Sequence, residues 1–232
     1  MKICVVVLTY KSDLYDHFDR IKRKYLETKD VDYYFLYNGT DKSLSNPKEH
    51  NLNYYSDFQH YENPTVPVMW DKFMAFISET AGKYDYIIRV NSSTFVNVDS
   101  VIEKIKQHSN KEDLYMGHPI QNLQEGEFAS GGCIVFSNAT LKKLFEVSKI
   151  FKHNPEARMR EDDVLIGLAV REVLKIPLTY LDWYYFGDQT TVPPEKIVEE
   201  ALTYPQIRIR NNANRDLIDK SIWNIIERKL QL

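Results

Sequence analysis

Apolar positions along the chain fall into short unbroken runs separated by stretches with a helical repeat. Ile3–Leu8 is continuous, apolar and β-branched, the pattern of a strand buried on both faces. Asp13–Glu27 follows, with Leu14, Phe18, Ile21 and Tyr25 lining one face of a helix. Tyr33–Tyr37 reads as a second strand, closed by Asn38-Gly39, a dipeptide that turns the chain. A polar stretch from Thr40 to Ser56 precedes a helix over Thr65–Thr80, with Val68, Met69, Phe73, Phe76 and Ile77 at helical spacing. Tyr86–Val90 reads as another central strand. Ser100-x-x-Glu103 matches a capping box opening a helix with Val101, Ile102 and Ile105. Cys133–Phe136 predicts a strand entered through Ser130-Gly131-Gly132, then a helix from Ser137-Asn138 to about Ile150. Helices over Asp162–Leu174 and Leu217–Leu230 complete the series. Strands alternating with helices imply an α/β fold with a mostly parallel sheet and helices on both faces. Ligands of such sheets bind at the carboxyl ends of the strands.

Composition narrows the function classes. With 232 residues, 43% of them hydrophobic, the chain can bury its own core, and residues 1–232 are expected to form a single domain. A formal net charge of −3 lacks the basic footprint of a nucleic-acid binder. Two cysteines, Cys4 and Cys133, argue against a disulfide scaffold and suit a reducing interior. The apolar run Ile3–Leu8 is too short for a membrane span or a secretory leader, so a cytoplasmic protein without a transmembrane segment is expected.

The predicted strand ends carry Thr9-Tyr10, Asn38-Gly39 and Asn91-Ser92-Ser93, which are mostly small and polar. Each alone fits ordinary turn chemistry. Together they suit a ligand rich in hydroxyl or phosphate groups. No Gly-x-Gly-x-x-Gly follows a strand and no Gly-x-x-x-x-Gly-Lys-Ser/Thr occurs, which argues against dinucleotide cofactors and P-loop chemistry. Glu161-Asp162-Asp163 opens a predicted helix. Carboxylates there satisfy the helix dipole, and one of them could also take a proton from a hydroxyl nucleophile. Adjacent helical positions diverge, so only one of Asp162 and Asp163 is expected to face a pocket directly.

Four segments, in order, resemble the fringe and β-1,3-galactosyltransferase group of glycosyltransferases. Asp57-Phe58-x-x-Tyr61-x-Asn63-x-Thr65 resembles the lead into a major helix of that group. Val90-Asn91-Ser92-Ser93-Thr94-Phe95-Val96-Asn97 resembles its acidic metal motif, usually close to Val-Asp-Asp-Asp-Thr-Phe-Val-Asn. Ser130–Ser137 resembles its glycine-rich acceptor-side strand, and Asp162–Leu168 its Glu-Asp-Val-x-x-Gly helix start. The resemblance spans roughly residues 57–175. It implies a GT-A, Rossmann-like fold and inverting transfer of a sugar from a nucleotide-diphosphate donor to a hydroxyl of a glycan or glycoconjugate. By position, Asp163 matches the catalytic base and Asp162 the acid before it. Gly131 and Gly132 would let an acceptor sugar approach the backbone, and Thr9 and Asn38 would lie near the nucleotide.

The chain departs from the group at the metal motif. Asn91, Ser92 and Ser93 supply no negative charge, whereas the hard cations that bind a diphosphate prefer anionic oxygens. No metal ligands or cofactor are therefore assigned, and three explanations stand. Arg89, Arg208 and Arg210 could neutralise the diphosphate without metal; Mn²⁺ or Mg²⁺ could arrive bound to the donor; or the domain could be a non-catalytic glycan- or sugar-nucleotide-binding module. Arg208 and Arg210 also fit a charged edge strand. The aromatic block Trp183–Phe186 fits a core strand or a stacking platform for sugar. The six histidines show no paired ligand spacing, and Cys133 reads as a small buried hydrophobe.

Overall fold

The computed structural model describes residues 1–10, 12–38, 51–54, 68–110, 112–151 and 160–232. Its elements in chain order are β1 (Ile3–Leu8), α1 (Asp13–Glu27), β2 (Asp32–Asn38), β3 (Asn51–Tyr54), α2 (Val68–Thr80), β4 (Tyr86–Asn91), β5 (Thr94–Val96) and α3 (Val98–Gln107). They continue as β6 (Tyr115–Asn122), β7 (Gly126–Ser137), α4 (Asn138–Phe151), α5 (Asp162–Gly167), β8 (Thr179–Tyr180), β9 (Trp183–Phe186), α6 (Glu195–Ala201), β10 (Gln206–Ile209) and α7 (Lys220–Lys229). A seven-stranded sheet runs β3-β2-β1-β4-β7-β6-β8, in which only β7 is antiparallel to the rest. A three-stranded sheet, β5-β10-β9, packs beside the end of β4.

The alternation within β1 sorts the core. Ile3, Val5 and Val7 point into a cluster with α1, α3, α7 and the small sheet. Cys4, Val6 and Leu8 point into a second cluster with α2, α4 and α5. Both faces of β1 are therefore apolar and fully covered, as its unbroken run predicts. Helix α1 keeps its expected bounds: Ser12 caps it by accepting the amide of Tyr15, and Phe18, Ile21, Tyr25 and Leu26 face the core. Trp223 of α7 is fully buried and stacks on Phe18 at 5.1 Å between ring centroids. Burying an aromatic of this kind contributes roughly 1.5–3 kcal/mol.

Several expectations are corrected. The Ser100–Glu103 pair lies inside α3, because Asn97 is the cap and its side chain accepts the amide of Ser100 at 3.2 Å. The strand expected from Cys133 begins at Gly126, so Ser130-Gly131-Gly132 lies within β7 and not before it. Small residues with low strand propensity hid that extension. The helix expected over Asp162–Leu174 is α-helical only to Gly167 and widens into a π-helical segment over Leu168–Val173. The last helix likewise starts as a π-turn over Arg215–Asp219 before α7. Apolar spacing does not separate these pitches. The polar stretch Thr40–Ser56 contains β3, and Arg208-Ile209-Arg210 leaves strand β10 after Ile209. The segment Asp57–Thr65 lies outside the described residues. Among the described residues, no helix is long and apolar enough to cross a membrane.

Candidate functional site

The carboxyl ends of β1, β2 and β4 converge with β7 and the start of α5. Strand ends leave carbonyl groups without a ladder partner, and buried polar groups of this kind require one. Two buried lysines reach these carbonyls, one from each helical layer; at Leu36 the lysine adds to the amide of Thr9, which already donates to that carbonyl at 3.0 Å. Lys72 of α2 donates to the carbonyls of Thr9 at 2.8 Å and Leu36 at 3.1 Å. Lys22 of α1 donates to the carbonyls of Ser92 and Asn91. Burial lowers both amines, Lys72 to about 7 and Lys22 to about 8, although Asp19 at 3.7 Å opposes the shift at Lys22. Asp19 is itself buried, which raises its carboxyl, and it accepts from the hydroxyl of Thr9 at 2.6 Å.

At the other side of the site, Arg89 of β4 is 1% exposed. Its Nη1 donates to the carbonyl of Gly131 at 2.6 Å, and its Nη2 forms an ion pair with Asp162. Gly131 lies between the Ala129–Pro119 pair with β6 and the Cys133–Val90 pair with β4. Its polar groups bond to side chains there, and its amide donates to Oδ2 of Asp163 at 2.9 Å. Oδ1 of Asp163 accepts the amide of Val164 at 3.0 Å. Burial, reinforced by the neighbouring charge of Asp162, pushes the Asp163 carboxyl up to about 6. The two adjacent acids are thus differentiated: Asp162 is paired with a guanidinium, and Asp163 is half-buried with a raised proton affinity.

The loop after β4 faces the small sheet. Asn91 Oδ1 accepts from Nη1 of Arg208 and from the hydroxyl of Thr94 at 3.0 Å. Arg208 also donates to Thr94 Oγ1 at 3.2 Å, so its hydrogen-bond partners among the described residues are neutral oxygens. Burial lowers Arg208 to about 10, and the positive charges of Arg210, Arg215 and Arg89 add to the shift. Ser92 is buried and its hydroxyl donates to the carbonyl of Leu8 at 3.0 Å. Ser93 is buried and its carbonyl accepts the amide of Ile209. Gly132 donates its amide to Ser130 Oγ at 3.3 Å.

Of the residues singled out in the sequence, Arg89, Gly131, Asp162 and Asp163 form one hydrogen-bonded group, and Asn91 and Arg208 form another. Thr9 belongs to the Asp19–Lys72 network. Arg210 is exposed just beyond β10. Asn38 ends β2, and only its backbone is described. Arg89 is enclosed, with both terminal nitrogens engaged inside the protein, so it does not present a free guanidinium. Lys22, Lys72 and Asp19 are the functional neighbours that periodicity overlooked. Their signal was a charge placed on an apolar helix stripe: Lys72 lies between Val68 and Phe76 in steps of four.

Among the described residues, no cluster of three or more His, Cys, Asp or Glu side chains is arranged to hold a metal ion. No curated protein sequence matches the chain. In structure it is similar to a glycosyltransferase involved in the glycosylation of the major capsid of PBCV-1, with 13% identity, a TM-score of 0.55, and coverage of 96% of this chain and 99% of that one. It is also similar to the galactosyltransferase LgtC in complex with donor and acceptor sugar analogues, with 11% identity, a TM-score of 0.55, and coverage of 99% and 96%. A third likeness is to the apo form of the glycosyltransferase GlyE of Streptococcus pneumoniae TIGR4, with 11% identity, a TM-score of 0.51, and coverage of 97% and 60%. At such identities these likenesses speak for the fold alone. The family assignment rests on the sequence model of the Fringe-like family, which matches residues 3–222, and the protein belongs to that family as a glycosyltransferase of GT-A fold.

Proposed function

We propose that the protein moves a sugar, with inversion at the anomeric carbon, from a nucleoside-diphosphate sugar to a hydroxyl of a glycan or glycoconjugate, and that residues 1–232 act as one catalytic domain. The observation that carries this reading is Asp163. A half-buried carboxylate with a raised pKa, fixed by the amides of Gly131 and Val164, is suited to accept a proton near neutral pH. The acceptor oxygen forms its bond to the anomeric carbon as its proton passes to Asp163. The bond from that carbon to the diphosphate oxygen breaks, and its electron pair leaves with the diphosphate.

The leaving group needs positive charge. A resident Mn²⁺ or Mg²⁺ does not fit the donors at Asn91-Ser92-Ser93. The side-chain oxygen of Asn91 already faces the Arg208 guanidinium, the hydroxyl of Ser92 is turned to the Leu8 carbonyl, and none of the three carries charge. No step is therefore routed through a metal. Arg208, held by neutral oxygens, supplies the charge instead, with Arg210 nearby. Arg89 serves as a positioning residue through Gly131 and Asp162. Thr9 and Asn38 mark the side of the sheet on which the nucleotide lies.

Calorimetric titration with nucleoside diphosphates in EDTA tests the donor half. Binding in EDTA that weakens about tenfold in Arg208→Ala is expected, whereas binding seen only with Mn²⁺ overturns the guanidinium role. Asp163→Asn tests the base: turnover falls by about 10²–10⁴ with nucleotide affinity retained. Wild-type turnover in that variant would refute the assignment.

A further inference from the structure

The small sheet has two chemically different faces. Ile207, Ile209, Phe95 and Phe186 are fully buried in the core. The alternate positions Gln206 and Arg208 of β10 and Trp183 and Tyr185 of β9 share the opposite face, in register as Gln206–Trp183 and Arg208–Tyr185. On that face three rings form a stack. His118 of β6 lies on Trp183 at 4.0 Å between centroids and 16° between planes, and Trp183 lies on Tyr185 at 5.4 Å and 10°. Trp183 is covered on both sides by its neighbours, whereas Tyr185 remains 40% exposed. Gly187 makes room for it, since a Cβ there would fall 2.1 Å from Cζ of Tyr185.

We infer that Tyr185, backed by Trp183 and His118, is a stacking platform for a pyranose ring of the acceptor. The identification of the ring as the acceptor's rests on the proposed transfer reaction. An ordered aromatic stack that ends in an exposed ring, on the strand that pairs with the strand of Arg208, offers an apolar surface of the kind ligand sites use, and the C–H face of a sugar matches it. A nucleobase could also stack, but the position favours the acceptor. With the diphosphate at Arg208 and the nucleoside toward β1 and β2, Tyr185 lies on β9, the far side of β10. A second observation points to a hydroxyl-bearing ligand. Gln206 is wholly buried, and neither its amide nitrogen nor its oxygen has a partner among the described residues. Its Oε1 would lie 3.4 Å from a Cβ placed on Gly132. A primary amide donates and accepts at once, as a sugar hydroxyl requires, and a buried amide without such a partner is costly.

The test uses saturation-transfer NMR with methyl β-glycosides of galactose, glucose and N-acetylglucosamine as probes, on the full chain with a saturating nucleoside diphosphate. Wild-type protein is expected to bind at least one glycoside through its C–H face. Affinity should fall about tenfold in Tyr185→Ala and stay within about twofold in Tyr185→Phe, with nucleoside diphosphate affinity unchanged in both. Glycoside binding that is absent from the wild type or indifferent to Tyr185→Ala overturns the inference. So does a loss of nucleotide affinity in its place, which would assign the platform to the base. Glycoside binding that depends on Tyr185, together with wild-type turnover in Asp163→Asn, would sink the assignment of the base and leave the platform standing.

Discussion

The amide of Gly131 donates to Oδ2 of Asp163 at 2.9 Å, while the carbonyl of the same residue accepts from Nη1 of Arg89 at 2.6 Å. One glycine thus joins the proposed base to a buried guanidinium. A side chain at this position would place its Cβ 3.0 Å from Asp163 Oδ2 and 3.1 Å from Arg89 Nη1, closer than either atom ordinarily approaches carbon. Gly131→Ala is therefore expected to displace the carboxylate while the fold persists. A misplacement of about 1 Å costs about 10²-fold in rate, so a shift of a few tenths of an ångström is expected to lower kcat severalfold. Steady-state kinetics beside circular dichroism checks it, and a folded Ala variant with wild-type kcat contradicts it.

The raised Asp163 carboxyl sets the pH dependence. A general base acts only when deprotonated, so kcat/KM should fall as pH drops through about 6, the value to which burial and the Asp162 charge push this group. At an ordinary carboxylate pKa the acid limb would lie near 4. A pH–rate profile distinguishes the two. An acid limb near 4 would mean that the reacting base is another group or is more solvated than the structure has it.

Arg89 and Asp162 form a buried ion pair in which the guanidinium is almost wholly enclosed. Removing one partner of such a pair leaves an uncompensated charge and costs roughly 3–5 kcal/mol. Arg89→Met should lower stability by an amount in that range. Combining it with Asp162→Asn should recover part of the loss, because the orphaned carboxylate is removed as well. Chemical denaturation of the two single variants and the double variant measures the coupling, and strict additivity would show that the pair does not interact.

The large sheet follows from the apolar pattern because its central strands are enclosed on both faces: Ile3–Leu8 and Tyr86–Val90 need no partner information to be recognised. The small sheet does not follow. Thr94–Val96 and Gln206–Ile209 are three and four residues long, and their pairing joins segments more than a hundred positions apart, which no local repeat encodes. The same holds for the site. Asp163, Gly131 and Asn91 stand out as motif residues, but the role of Arg89 depends on the Gly131 carbonyl reaching it across the sheet. Lys22 and Lys72 put charges on the apolar stripes of their helices, four positions after Phe18 and Val68, where periodicity alone calls for an apolar residue. Only the strand ends above them explain why they are buried.

Lys72 offers a stability test independent of any substrate. Its amine is buried and donates to two carbonyls, with no bonded carboxylate among the described residues, and burial lowers it from 10.5 to about 7. Between those values the unfolded chain holds a proton that the folded protein does not, so stability rises with pH across the window. Below about 7 the amine is charged in both states and the cost of burying that charge is fully felt; above 10.5 it has vanished. Lys72→Met removes this titration. It also strips the Thr9 carbonyl of its lysine donor, a pH-independent cost of about 1–3 kcal/mol, whereas the Leu36 carbonyl keeps the amide of Thr9 at 3.0 Å. The stability of the wild type relative to Lys72→Met should therefore grow by roughly 2–3 kcal/mol between pH 7 and 9. Urea denaturation of both proteins at pH 6.5, 8 and about 9.5 reads it directly. A difference that stays flat across that range would mean that Lys72 keeps its proton in the fold, held by charge that its two carbonyl partners do not supply.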